Sequence, residues 1–283
     1  MKFLFVIDPI ENLKLESDST IEIMQECASS GIDVFYCELG GLYFLNNSVH
    51  AQSTQLKLVN KGYTKIKKID ESLDFFDCIL MRKEPPYDLT YHYATMLLEK
   101  TKVPVINRPQ GLRDANEKLI ILNFLDLTPK TIVTQDKERL LNFVKVNEKI
   151  VLKPIDLFGG RGVIALEKTD PSLKKKINDS IKKNGYVIAQ EFIGSVYQGD
   201  KRIIVLNGEP IGAIIRIPKK GDFRANLALG GTPKPYMISQ TDKKAIKKIA
   251  PYLKSHGLDL VGVDMIVDKL FEFNVTCPTG LVP

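Results

Sequence analysis

The 283-residue sequence predicts a two-part fold, an α/β domain over residues 1–115 followed by an α+β domain over 116–283. Three observations carry that prediction. The chain opens as strand, helix, strand, the alternation that builds a parallel sheet. After Thr128-Pro129 the order becomes two strands around a glycine-rich turn, Val151–Val163, with helices on either side. Near the end, Val261–Thr276 reads as two adjacent strands carrying acids on one face.

Taken in order, Lys2–Asp8 is a short apolar strand ending in Asp8-Pro9. Ser19 followed three residues later by Glu22 reads as a capping box, opening a helix with Ile21, Met24 and Ala28 inward and Gly31 as its stop. Strands follow at Val34–Leu39 and Phe76–Met81, the latter running into Arg82-Lys83-Glu84-Pro85-Pro86. Charged residues just past the carboxyl end of a strand lie where open α/β sheets place ligands, although a solvated loop reads as well. Tyr91–Lys100 is predicted helical, and Val103–Asn107 closes the first domain. Asp114 and Glu117 read as a second capping box, starting a helix Glu117–Leu125. Lys118 sits in its first turn, where a cation opposes the helix dipole, and this conflict points to another task for it.

In the second domain the predicted order is strand Thr131–Thr134, helix Lys137–Val144, strands Ile150–Lys153 and Val163–Leu166, helix Ser172–Lys183 and strand Tyr186–Phe192. Arg202–Leu206 and Ile211–Ile217 flank Asn207-Gly208, a hairpin signal. Pro218–Pro235 has no period, carries Gly221, Gly230 and Gly231, and contains Arg224. Loops of this length are uncommon unless they act as lids or are disordered. As a lid, it brings Arg224 to a phosphate on closing.

The chemistry concentrates in two stretches. In VLKPIDLFGGRGV, Lys153 precedes a turn with Gly159, Gly160 and Gly162. Residues without a Cβ let backbone N–H groups approach a polyanion, and the lysine supplies a point charge. By itself such a turn is more often a tight hairpin. It is neither a Walker A loop, lacking Gly-Lys-Ser/Thr, nor a dinucleotide fingerprint, since a strand follows it. The second stretch favours the nucleotide reading. Glu272 and Asn274 lie two apart on one strand, with Asp264 on its neighbour, while Phe271, Phe273 and Val275 alternate to the other face. Two carboxylates and an amide oxygen suit Mg²⁺ (or Mn²⁺) held with ATP phosphates.

Composition excludes several classes. No apolar run approaches the ~20 residues needed to span a bilayer, and the amino terminus lacks the pattern of a signal peptide. Cys27, Cys37, Cys78 and Cys277 have no metal-site spacing and are expected as free thiols in the cytoplasm. His50, His92 and His256 form no triad. A net charge of +6, spread along helices with no interleaved aromatics, gives no support for nucleic acid and suits small anions.

The sequence resembles the ATP-grasp ligases, and within them the bacterial glutathione synthetases, over nearly its whole length. The residues that carry the resemblance are Asp8-Pro9-Ile10, Met81–Pro86, Asn107-Arg108-Pro109-Gln110 with Leu112-Arg113-Asp114, Asn116-Glu117-Lys118, Leu152-Lys153-Pro154, Gly199-Asp200-Lys201-Arg202, Arg216-Ile217-Pro218 and Asn274–Thr279. The resemblance implies an N-terminal α/β substrate domain and a two-lobed ATP-grasp domain that joins γ-glutamylcysteine to glycine through an acyl phosphate, releasing ADP and phosphate. By position, Lys118 and Lys153 would hold ATP phosphates beside Gly159 and Gly160. Gln190, Glu191, Phe192 and Ile193 would frame the adenine, and Asp264, Glu272 and Asn274 would bind the metal. Arg202 and Arg216 would stabilise the transferring phosphoryl group, and Arg82 would meet a substrate carboxylate. A homodimer or homotetramer is also implied.

The sequence departs from the family at Leu157, where glycine is usual, at Glu191, where asparagine is as familiar, and at Gly280-Leu281-Val282-Pro283, where the family continues for about thirty residues. The last departure predicts a fraying final strand, weak ATP binding and slow ligation. A ligase for another amine, or a catalytically impaired nucleotide-binding relative, are the alternatives.

Overall fold

The computed structural model describes residues 1–59 and 62–281; the predicted terminal departure therefore lies partly outside the described residues, at Val282 and Pro283. The fold is the mixed architecture expected, an α/β domain followed by two antiparallel lobes. The first part takes β1 (Lys2–Val6), α1 (Ser19–Ser29), β2 (Asp33–Cys37), β3 (Leu42–Leu45), β4 (Ser48–Val59), β5 (Gly62–Ser72), β6 (Cys78–Met81), α2 (Leu89–Leu98), β7 (Val105–Ile106) and α3 (Pro109–Asp114). Strands β2, β1, β6 and β7 lie side by side and parallel. Strand β4 then runs antiparallel to β2 and β3 along one edge and to β5 along the other.

The long β4–β5 hairpin was not legible in the sequence. Strand β5, GYTKIKKIDES, is exposed along most of its length and so shows no apolar alternation. The capping boxes also need correction. Asp18, not Ser19, caps α1, its carboxylate accepting from the Thr20 and Ile21 amides. Asp114 ends α3, and Asn116 Oδ1 accepts from the Lys118 and Leu119 amides, so only a short 3-10 turn, Ile120–Asn123, stands where a longer helix was predicted.

The second part contains β8 (Thr131–Thr134), α4 (Lys137–Asn147), β9 (Lys149–Pro154), β10 (Ile164–Glu167), α5 (Leu173–Asn184) and β11 (Val187–Glu191), a lobe whose sheet runs β10-β9-β11-β8. Its core is separate: Leu140, Val144, Ile150, Leu152, Leu166, Ile177, Val187 and Ala189 pack the two helices onto the sheet. The last lobe holds β12 (Asp200–Leu206), β13 (Glu209–Ile217), β14 (Thr232–Pro235), α6 (Gln240–His256), β15 (Leu260–Ile266) and β16 (Lys269–Asn274) in the order β14-β13-β12-β15-β16.

That last sheet shares one apolar core with the N-terminal domain, in which Val6, Ile79 and Leu98 belong to the same cluster as Val263, Phe273 and Val275. Asn107 reinforces the junction. Its amide donates to the Leu260 and Val275 carbonyls at 2.8 and 2.7 Å, and its oxygen accepts from the Leu260 amide at 2.8 Å. The frame is thus one continuous body; the β8–β11 lobe packs on it through Ile188, which belongs to the same cluster, and Val133, and the two enclose a cleft. Among the described residues no helix is long and apolar enough to cross a membrane.

Candidate active site

A β-bulge shapes the cleft floor. Asp264 faces Glu272 and Gly262 faces Asn274, so the three predicted metal ligands share one face, but the register shifts between Asp264 and Met265. The extra residue is Phe271. It turns from the apolar face predicted for it into the cleft, where it packs with Val196 and Ile266 against Phe192, Ile193 and Phe223. The core side is taken by Leu270 and Phe273 instead.

The cleft takes in about 770 Å³ of space that is partly open to solvent. The apolar group forms one end, and Lys118, Lys153, Asp200, Arg216, Asp264 and Glu272 form the other. Lys153 Nζ donates to Gln190 Oε1 at 2.7 Å and stands 5.0 Å from the Phe271 ring centroid. Burial is the largest influence on it and brings its pKa down to about 8. Lys118 is buried; its ammonium reaches the Leu157 carbonyl and lies 3.3 Å from Glu272 Oε1. Lys118 thus joins the segment after α3 to the glycine loop and to β16.

The glycine loop closes over this end. Gly159, Gly160 and Gly162 all have positive φ, and a Cβ on Gly160 would fall 2.5 Å from Asn226 Oδ1. Leu157 is not among the positive-φ residues, so the departure from glycine there meets no backbone penalty. The predicted lid, Pro218–Pro235, is partly ordered: β14 pairs with β13, and the segment before it lies on the loop. Arg224 is not poised as a free cation. It pairs with Asp222 at 2.7 Å, and its Nη1 is 3.5 Å from the Gly160 carbonyl.

Other predicted residues sit differently from expectation. Gln190 is fully buried and Glu191 accepts from the Lys130 amide, and neither lines the cleft, whereas Phe192 and Ile193 do. Arg82 lies in the seam between the first domain and residues 276–281. It donates to Thr20 Oγ1 and the Pro278 carbonyl, while its Nη1 is buried without a protein partner. The described residues that follow the last strand, where fraying is expected, are tied to β12 and to α1. Arg202 Nη1 donates to the Thr279 carbonyl, and the Gly280 and Leu281 amides donate to Ser19 Oγ.

The three residues expected to bind the metal are engaged with protein partners. Asp264 is buried and its carboxylate is gripped by Arg202 through Nε and Nη2, the latter at 2.9 Å, and by Arg216 Nη2 at 3.0 Å. Asn274 Nδ2 approaches it at 3.2 Å. Burial pushes the Asp264 carboxyl up, but the two guanidiniums outweigh it and hold it well below the usual carboxylate range. Among the described residues no group of three His, Cys, Asp or Glu side chains is placed to hold a metal alone. The donors present nonetheless fit a hard cation shared with phosphate oxygens: two carboxylates opposite each other and an amide on the same face.

Two residues were given no role in this site by sequence reasoning, Glu117 having been read only as a helix cap. Asp200 takes a two-pronged bond from Arg216, at 2.6 and 2.8 Å, and burial raises its carboxyl despite Arg216. Its available signal was its position two residues before Arg202 on one strand, hence one face. Glu117 Oε1 accepts from the Val275 and Thr276 amides and from Thr276 Oγ1, fixing the chain just after β16. A second cavity of about 1100 Å³ adjoins the first, sharing Arg216 and Glu272 and adding Arg202, Asn274, Glu84 and Thr279.

Comparison with known proteins agrees with this geometry. The family described as the prokaryotic glutathione synthetase ATP-grasp domain matches residues 117–283, and its N-terminal domain matches 1–113. Glutathione synthetase of Escherichia coli (strain K12) is 38% identical, the alignment covering 99% of this chain and 91% of that protein. The Prochlorococcus marinus subsp. pastoris enzyme of the same name is 42% identical, covering 99% and 92%. D-cycloserine synthetase superposes with a TM-score of 0.68 at 14% identity over 98% of this chain and 92% of its own. D-alanyl-alanine synthetase A from Vibrio cholerae gives 0.62 at 13% identity over 99% and 90%, and at such identities both speak for the fold alone. The chain belongs to the prokaryotic glutathione synthetase family of ATP-grasp ligases.

Proposed function

We propose that the chain ligates γ-glutamylcysteine to glycine with cleavage of ATP to ADP and phosphate. The observation that carries this reading is the pair of adjoining cavities bridged by Arg216 and Glu272, one with an apolar floor and a cationic end, the other lined by Arg202 and Asn274. The first takes the nucleotide: Phe271, Ile266 and Phe192 contact the adenine, and Lys118 and Lys153 meet the phosphates with the amides of Gly159 and Gly160. The second takes the acceptor dipeptide and the amine. Asp264, Glu272 and Asn274 would hold Mg²⁺ or Mn²⁺, which neutralises charge on the phosphoryl oxygens.

In the first step the acceptor carboxylate attacks the γ-phosphorus and ADP leaves. In the second the glycine nitrogen, having lost a proton, attacks the acyl carbon; the C–N bond forms and the C–O bond to phosphate breaks. The protein's contribution is positioning and electrostatics. Arg202 and Arg216 face the oxygens on which charge develops, and the glycine loop with residues 223–229 excludes water that would hydrolyse the acyl phosphate. Arg82, which lines neither cavity, would meet a carboxylate of the dipeptide only through its unpartnered Nη1, and Arg224 acts only if it leaves Asp222. Location in the cytoplasm is proposed on the four free cysteines, and assembly as a dimer or tetramer on the family resemblance.

ADP release measured with γ-glutamylcysteine, with and without glycine, tests the reading. Sustained release requiring both substrates is expected. No release with both, or equal rates when glycine is replaced by other amines, would refute it.

A further inference from the structure

Arg216 stands between two carboxylates, and they are not equivalent. Its Nε and Nη2 form a fork on Asp200 at 2.6 and 2.8 Å, while Nη2 alone also reaches Asp264 at 3.0 Å. Asp264 is occupied in addition by the Arg202 fork and by Asn274. Asp200, Arg202, Arg216 and Asp264 thus make a charge-balanced quartet in which guanidinium groups cover the oxygens that the metal reading needs. A cation can coordinate Asp264 only if the arginines give up part of their hold. Arg202 keeps the Thr279 carbonyl when it does so, and Arg216 keeps Asp200.

We propose that Asp200 is a positioning residue that holds Arg216 on its own carboxylate and so leaves Asp264 available to the metal. The proposal rests on the reading that Asp264, Glu272 and Asn274 hold the cation. Its physical content is competition. An arginine buried beside two carboxylates must satisfy its donors and its charge, and losing one partner commits it to the other. With Asp200 neutralised, Arg216 transfers fully to Asp264 and the metal must displace it. With Asp200 intact, the fork geometry fixes the guanidinium plane whether or not the metal is bound, and the cation charge stays aimed at the shared wall of the two cavities.

The test is a double-substitution cycle read by metal binding. Mn²⁺ affinity is measured by electron paramagnetic resonance, with a non-hydrolysable ATP analogue present, for wild type, D200N, R216Q and D200N/R216Q. Outer partners of metal sites typically contribute 10–100-fold to affinity, so D200N should weaken Mn²⁺ binding about 10-fold. In the R216Q background the competitor is gone, and D200N should then change affinity by less than about twofold, because a contribution carried through a deleted partner vanishes in the cycle. Equal weakening in both backgrounds would mean that Asp200 acts only as a nearby negative charge, and would overturn the proposal; so would unchanged affinity in D200N. Glu272→Gln is the control. If it leaves Mn²⁺ affinity unchanged, the metal reading fails and takes this proposal with it; if it weakens binding while the cycle is additive, only the role of Asp200 fails. Should D200N not fold by circular dichroism, the same cycle with D200S applies.

Discussion

Replacing Asp264 with alanine should damage stability as well as catalysis, and the two effects are separable through Glu272. The apolar alternation of β16 alone predicts that either substitution leaves folding intact. The structure gives a different result for Asp264, which is only 5% exposed and accepts from Arg202, Arg216 and Asn274. Its loss leaves Arg202 without a carboxylate partner inside the protein. Breaking a buried pair by removing one member costs about 3–5 kcal/mol. Arg216 keeps Asp200, so the lower end, about 3 kcal/mol, applies. For a chain of this size that corresponds to a melting-temperature decrease of about 5 °C. Glu272→Gln keeps an acceptor toward Lys118, which also retains the Leu157 carbonyl, and should stay within about 1 kcal/mol of wild type. Both variants should lose turnover about 100-fold or more, since each removes a charge from the phosphoryl-transfer site. Differential scanning calorimetry beside the ADP-release assay reads both quantities. A D264A protein that melts within a degree or two of wild type would refute the buried-quartet argument, and a fully active E272Q would refute the metal assignment.

Three further outcomes follow from particular contacts. Burial lowers the Lys153 pKa to about 8, and a bound triphosphate raises it again; ATP affinity should therefore be full below pH 8 and decline as pH rises above it, with proton uptake on binding, measurable by calorimetry in buffers of different ionisation enthalpy. The same shift means the unfolded chain binds more protons than the native one between about pH 8 and 10.4, so the contribution of Lys153 to stability rises with pH across that window. Asn107→Ala leaves the Leu260 amide and the Leu260 and Val275 carbonyls without their partner, and at about 1–3 kcal/mol per buried unsatisfied group the urea midpoint should fall by at least the equivalent of 3 kcal/mol; an unchanged midpoint would show that water replaces the side chain. Gly160→Ala places a methyl on Asn226 and Leu229 and should loosen residues 223–229, seen as faster tryptic cleavage at Arg224 and a rise in uncoupled ATP hydrolysis; unaltered cleavage would count against contact-driven closure.

By itself the sequence determined most of what repeats locally. Apolar runs located the strands of both lobes except β14, which lay in the stretch read as a lid; Asn207-Gly208 marked a hairpin, and the spacing of Glu272 and Asn274 a polar face, because side-chain direction along a strand has period two. The glycines at 159, 160 and 162 were legible for a similar reason, since positive φ is a local property that leaves a local mark. Tertiary structure alone decided the rest. The β4–β5 hairpin carries no inward face for a pattern to report, and the bulge at Phe271 left only the adjacent apolar pair Leu270-Phe271 as its trace in β16. Asn107 and Glu117 become critical only because β15 and β16 arrive beside them from more than 150 residues away. The state of the site was likewise invisible: a sequence names Asp200, Arg202, Arg216 and Asp264 as charges, but which guanidinium rests on which carboxylate depends on distances across three strands, and those distances set both the stability of the quartet and the access of a cation to Asp264.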